Sequence, residues 1–243
     1  MTIVKSPPAA NNKTLGLVIV TFLLTAYFWN SPIIYPVKVF TVLLHEMCHG
    51  LAAILTGGSL ISIELSPMLG GVAYTAGGSR IVILSAGYIG SCLLGGAIML
   101  AAARTSYDKA ISVCIGSAVI FTALIFVRSA FGFLYSIAFG AIMIAAGRYA
   151  SEKINDALLM FIGLNCSLYA IIDIKEDLIE RTVPSSDAYR LSEIIPVPSF
   201  LIGILWMASS AVFTYYMIKL SVSRADAESG ARGEAPGNFQ KGV

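Results

Sequence analysis

Charge is scarce in this sequence. Only 12% of its 243 residues are Asp, Glu, Lys or Arg, roughly half the share of about 25% found in soluble domains. With 57% hydrophobic residues, a water-soluble core of this size could not hide the apolar surface, so lipid must be the solvent for much of the chain. The net charge of +2 is near balance. No Lys/Arg run is dense enough to mark a nucleic-acid partner. Cysteine is sparse as well. Cys48, Cys92, Cys114 and Cys166 all lie in apolar segments, with neither a disulfide-scaffold spacing nor a C-x-x-C pair. They read as small apolar residues packing between helices. Histidine is scarcer still, with two in the whole chain.

What is abundant is the long apolar run. A span needs about 20 mostly apolar residues. Runs bounded by charge, Gly or Pro give candidates at Leu15–Trp29, Val37–Thr56, Ile81–Ala103, Ala110–Val127, Phe131–Ala146, Ile154–Ile172 and Phe200–Lys219. The first ends in Tyr27-Phe28-Trp29 rather than in a small-residue cleavage site, so it is expected to be a retained span. The fourth and fifth are short and tightly joined. The expected fold is therefore an all-α polytopic membrane protein of six or seven transmembrane helices. Its expected organisation is an N-terminal tail over 1–14, a membrane domain over 15–220 and a disordered polar tail over 221–243. The pairs Gly87/Gly90 and Gly95/Gly96 suit close helix packing in lipid.

The segment after the second span has a different period. Ile61, Ile63 and Leu65 alternate with Ser62, Glu64 and Ser66, residues 67–71 read as a turn, and Val72-Ala73-Tyr74-Thr75 as a return strand. The expectation is a short β-hairpin inserted after the second helix, with a plain surface loop as the alternative. Open backbone at membrane depth must be covered by protein or face a watery cavity.

The second span carries His45-Glu46-Met47-Cys48-His49. Four-residue spacing puts both imidazoles on one face of a helix, one turn apart, where they can grip one metal ion. Glu46 beside the first imidazole is placed to act as general base toward an attacking water. An ionisable trio inside an apolar span is costly, about +2.5 to +3.5 kcal/mol for a central charge on insertion scales, and such residues are usually functional. Zinc needs a third protein ligand and keeps a fourth position open. With no further histidine, that ligand must be a carboxylate or a thiolate. Cys48 points to another side of the helix. Glu64 on the hairpin, and Asp173 and Asp177 at the end of the sixth span, remain candidates; the two aspartates are four apart and can share a helical stripe.

An HExxH in an early span with an aspartate from a much later one resembles the site-2 protease family of intramembrane zinc metallopeptidases. His45-Glu46-x-x-His49-Gly50 matches that family's first motif. Asn165 stands eight residues before Asp173, which resembles the family's second motif. The resemblance implies Asp173 as third zinc ligand and Asn165 as a substrate-binding side chain, and the hairpin is similar to a membrane-reentrant β element of the family. In the family the aspartate is commonly followed by Gly within a Pro-containing stretch; here Ile172 and Ile174 flank it. Asp173-Ile-x-x-Asp177, and Ser185-Ser186-Asp187-Ala188 after it, more closely resemble a divergent M50B-like branch, which keeps Asp177 as the alternative ligand.

The resemblance implies an intramembrane zinc metalloendopeptidase that cleaves membrane-spanning substrates. Its expected cofactor is Zn2+ and its expected partners are the lipid bilayer and a membrane-protein substrate, with no nucleic acid. The expected location is a prokaryotic plasma (inner) membrane, as a multi-pass protein. The rival readings are a catalytically silent relative that binds membrane proteins, and a metal or small-solute transporter. The transporter reading lacks a paired repeat.

Overall fold

A computed structural model describes residues 12–29, 31–175 and 186–223. The element order is α1 (Asn12–Phe28), α2 (Tyr35–Leu55), β1 (Ser59–Leu65), β2 (Gly71–Ala76), α3 (Arg80–Arg104), α4 (Asp108–Phe126), α5 (Ala130–Tyr149), α6 (Glu152–Lys175), α7 (Asp187–Ser192) and α8 (Ser199–Val222). Among the described residues, α2, α3, α4, α5, α6 and α8 are the six helices long and apolar enough to cross a bilayer. The first candidate span forms α1, which at 17 residues is shorter than these. Most of the expected tails, residues 1–11 and 224–243, lies outside the described residues, as does Asp177.

α3 is the central helix, packed against α2, α6 and α8. The glycines singled out in its sequence are the reason it can be. A Cβ on Gly95 would sit 2.8 Å from the Gly163 carbonyl of α6, and one on Gly163 would sit 2.6 Å from the Gly95 carbonyl. A Cβ on Gly96 would meet Phe213 of α8 at 2.6 Å, and one on Gly90 would meet Cys48 of α2 at 2.9 Å. Helices in lipid gain little from apolar burial against one another, so close backbone approach through small residues supplies the packing. α4 and α5 form a second tight pair on the same principle, with Gly116 and Gly140 facing each other's carbonyls.

The expected hairpin is present. β1 and β2 pair antiparallel, with Ser62 opposite Tyr74 and Glu64 opposite Val72, and an irregularity between Leu60 and Ser62. α2 stops where Gly57 takes a φ of +85°, a conformation available to glycine at little cost. The chain then doubles back along α2. The Tyr35 hydroxyl at the start of that helix donates to the Pro67 carbonyl in the hairpin turn at 2.8 Å. The outer edge of β1 is occupied by the α4–α5 connection: Arg128 N–H donates to the Ile63 carbonyl and Leu65 N–H to the Ser129 hydroxyl, both at 2.9 Å. Ile63 and Leu65 are buried under this seam. The hairpin is thus covered on one edge and on one face, as backbone away from bulk water requires.

Candidate metal centre

The residues of α2 that carry chemistry are buried among helices rather than in lipid. Glu46 and His49 are 5% and 6% exposed. The two imidazole rings lie 4.6 Å apart, nearly perpendicular, as the four-residue spacing predicts. The acid that reaches them is Asp187. Its Oδ2 is 3.0 Å from His45 Nε2 and 3.1 Å from His49 Nε2. His45, His49 and Asp187 form the group that could hold a metal ion among the described residues.

The sequence pointed to Asp173 as third ligand, with Asp177, which lies outside the described residues, as the alternative. Asp173 lies on the last turns of α6 and is not part of the group. Glu64 is exposed on the outer face of the hairpin and Cys48 is not in the group either. Asp187 enters from the segment beyond α6, at the first position of the short helix α7. Ser186 caps that helix by accepting from the Tyr189 amide at 3.3 Å. Ala188 and Leu191 fix it from below, in a buried cluster with Leu84 and Tyr88 of α3, Ile174 of α6, and Ile202 and Trp206 of α8. Ser186 and Asp187, part of a stretch noted in the sequence, therefore have a structural role: a cap followed at once by a carboxylate aimed at the histidine pair.

Asn165, expected to hold substrate, is only 2% exposed. Its Oδ1 accepts from the Thr25 hydroxyl of α1 at 3.1 Å and its Nδ2 donates to the Phe161 carbonyl at 2.8 Å. Its amide is engaged in joining α1 to α6.

The donor chemistry fits a cation. His49 Nδ1 lies 2.6 Å from the carbonyl oxygen of Ile83 on α3. A carbonyl can only accept, so Nδ1 carries the hydrogen and a neutral ring turns the Nε2 lone pair toward Asp187. Two acceptors then face each other at 3.1 Å, which requires a proton or a metal ion between them. A backbone carbonyl on the far nitrogen is the usual way a zinc-ligating imidazole is oriented. Tetrahedral zinc with bonds near 2.0–2.1 Å separates its donors by roughly 3.3 Å, so the two Asp187–imidazole separations need open by only a few tenths of an ångström.

Two glycines that sequence reasoning left without a site role shape the pocket. A Cβ on Gly87 of α3 would come within 2.5 Å of His49 Cε1 and 2.6 Å of His45 Cε1, so Gly87 is the wall against which both rings lie. A Cβ on Gly71 of β2 would meet Glu46 Oε1 at 2.5 Å. Two residues on, the Ala73 backbone also faces the Glu46 carboxylate. Residues of a strand direct both backbone groups to alternate sides, so Gly71, Ala73 and Thr75 present theirs on the edge of β2 away from β1, beside Glu46.

Comparison with known proteins agrees with the architecture. The sequence model of the Peptidase M50B-like family matches residues 18–217, which includes α2, the hairpin, α3 and α7. No curated protein and no solved structure gives a significant match. With six helices able to cross a bilayer, this integral membrane protein belongs to the Peptidase M50B-like family.

Proposed function

We propose that the protein is an intramembrane zinc metalloendopeptidase acting on membrane-spanning substrates. The observation that carries this reading is the convergence of His45, His49 and Asp187 next to Glu46 on an enclosed transmembrane helix. His45 and His49 would hold the ion through Nε2, and Asp187 through Oδ2. A zinc ion there would supply Lewis-acid polarisation of a substrate carbonyl and make water a nucleophile at neutral pH. Glu46 is the group placed to take the proton from the attacking water and pass it to the leaving amine. The Ile83 carbonyl keeps the hydrogen of His49 on Nδ1. The enclosing helices exclude bulk water from Glu46, which strengthens every charge interaction in the pocket.

A helical substrate hides its carbonyls in its own hydrogen bonds, so the segment to be cut must be extended. Among the described residues no strand pairs with the outer edge of β2, whose backbone at Gly71 and Thr75 offers donors and acceptors to such a segment, in the manner of β-strand addition. A peptide paired there would run beside Glu46.

The test is purification in detergent, measurement of zinc content, and incubation with a labelled single-span peptide. The wild type is expected to cut and Glu46→Gln to lose about 10²- to 10⁴-fold in rate, the usual contribution of a general base, while keeping its zinc. Cleavage by Glu46→Gln at the wild-type rate contradicts the mechanism. Zinc uptake into liposomes without any cleavage would point to transport instead.

A further inference from the structure

The two histidines are held in different ways. His49 is fixed by the Ile83 carbonyl on its Nδ1, and its side chain is 8% exposed. His45 is the more open of the pair, with a side chain 16% exposed. What lies against it is an aromatic ring. The centroid of Tyr88 is 4.7 Å from that of His45, with the two planes at 80°. Tyr88 is itself 2% exposed and backed by Trp206 of α8, centroid to centroid 5.6 Å. The same ring belongs to the buried cluster that contains Ala188 and Leu191 of α7, the helix that begins with Asp187.

We propose that Tyr88 is the positioning residue of the metal centre, its ring setting the plane of His45 and, through Ala188 and Leu191, the seat of Asp187. An imidazole coordinates only along its in-plane lone pair, so a ring that rotates about χ2 carries its donor atom off the ion. An edge-to-face neighbour backed by a second large aromatic resists that rotation by packing. A flexible or smaller side chain at 88 would leave His45 and α7 each free to settle separately. α3 then orients the whole donor set from one face: Ile83 acts on His49, Gly87 makes space for both rings, and Tyr88 acts on His45 and α7.

This inference rests on the zinc reading for its main readout, and a second readout does not need zinc. Zinc affinity is measured by chelator competition on the detergent-solubilised full chain. Tyr88→Leu is expected to bind about 10-fold more weakly, within the 10- to 100-fold range for groups that orient metal ligands. Tyr88→Phe keeps the ring and is expected to lose less affinity than Leu. Tyr88→Met, which keeps bulk without a flat ring, is expected to follow Leu and replaces it if Leu does not fold. Independently, the metal-free protein labelled at histidine gives ring signals from two residues. Loss of the Tyr88 ring current is expected to move the His45 signals more than those of His49. Wild-type zinc affinity in both Leu and Met variants, equal losses in Phe and Leu, or unmoved His45 signals would overturn the proposal. If the wild type binds no zinc, the peptidase reading fails, and the His45 signals still decide the role of Tyr88.

Discussion

α2 and α4 are both apolar helices of similar length, and they live in different surroundings. Thirteen of the 21 residues of α2 are buried, among them Glu46 and His49. Of the 19 residues of α4, six are buried, and from Ser112 to Thr122 they recur at three- and four-residue steps as a single stripe of mainly small side chains. Phe121, Leu124 and Ile125 on the rest of α4 face outward. The lesson is that hydropathy reports length and solvent but not enclosure. A helix with protein on nearly every side can carry a carboxylate and two imidazoles, because each polar group finds a partner from a neighbouring element. A helix with one packed stripe cannot, and α4 keeps its aspartate at its end, at position 108.

Equivalent substitutions on the two sides are expected to fail differently. The largest effect is expected from Gly87→Ala, whose methyl would enter the space of both imidazoles. Zinc affinity should fall by about 10- to 100-fold, the range for disturbed ligand orientation, while the helices remain assembled by circular dichroism. Gly116→Ala makes a comparable clash, 2.5 Å from the Gly140 carbonyl, but far from the donors. It should cost about 1–3 kcal/mol of overpacking, read as a lower unfolding midpoint in detergent, and leave zinc affinity alone. The smallest effect is expected from Leu124→Ala. With Leu124 61% exposed on α4, stability should change by no more than about 0.5 kcal/mol, with cleavage unaltered. A loss of zinc in either α4–α5 variant would break the comparison.

Much of this was legible in the sequence for physical reasons. The histidine spacing carries its own geometry, because one helical turn fixes where both rings point. The alternation from Ile61 to Leu65 announced a strand in a chain otherwise made of unbroken apolar runs, and the hairpin formed there. Gly87, Gly90, Gly95 and Gly96 marked α3 as a helix approached closely, and it is the central one. What sequence reasoning did not single out as a ligand was Asp187. Asp173 is joined to its span by helical periodicity, so its position could be reasoned about. Asp187 follows a polar stretch, and no repeat connects it to anything. Its local signals are the Ser-Ser-Asp-Ala resemblance, which carried no ligand role, and Ser186 immediately before it, a helix cap that places the carboxylate in the first turn without saying what that turn faces. Asn165 was located by spacing, and what spacing could not show is that the Thr25 hydroxyl engaging it comes from a helix 140 residues away in sequence.

The central claim is that Asp187, and not an acid of α6, completes the metal centre. It is tested by the zinc content of Asp187→Asn and Asp173→Asn purified side by side with the wild type. The account predicts that Asp187→Asn loses its stoichiometric zinc after dialysis, while Asp173→Asn retains one ion per chain. Zinc retained by Asp187→Asn and lost by Asp173→Asn would contradict it.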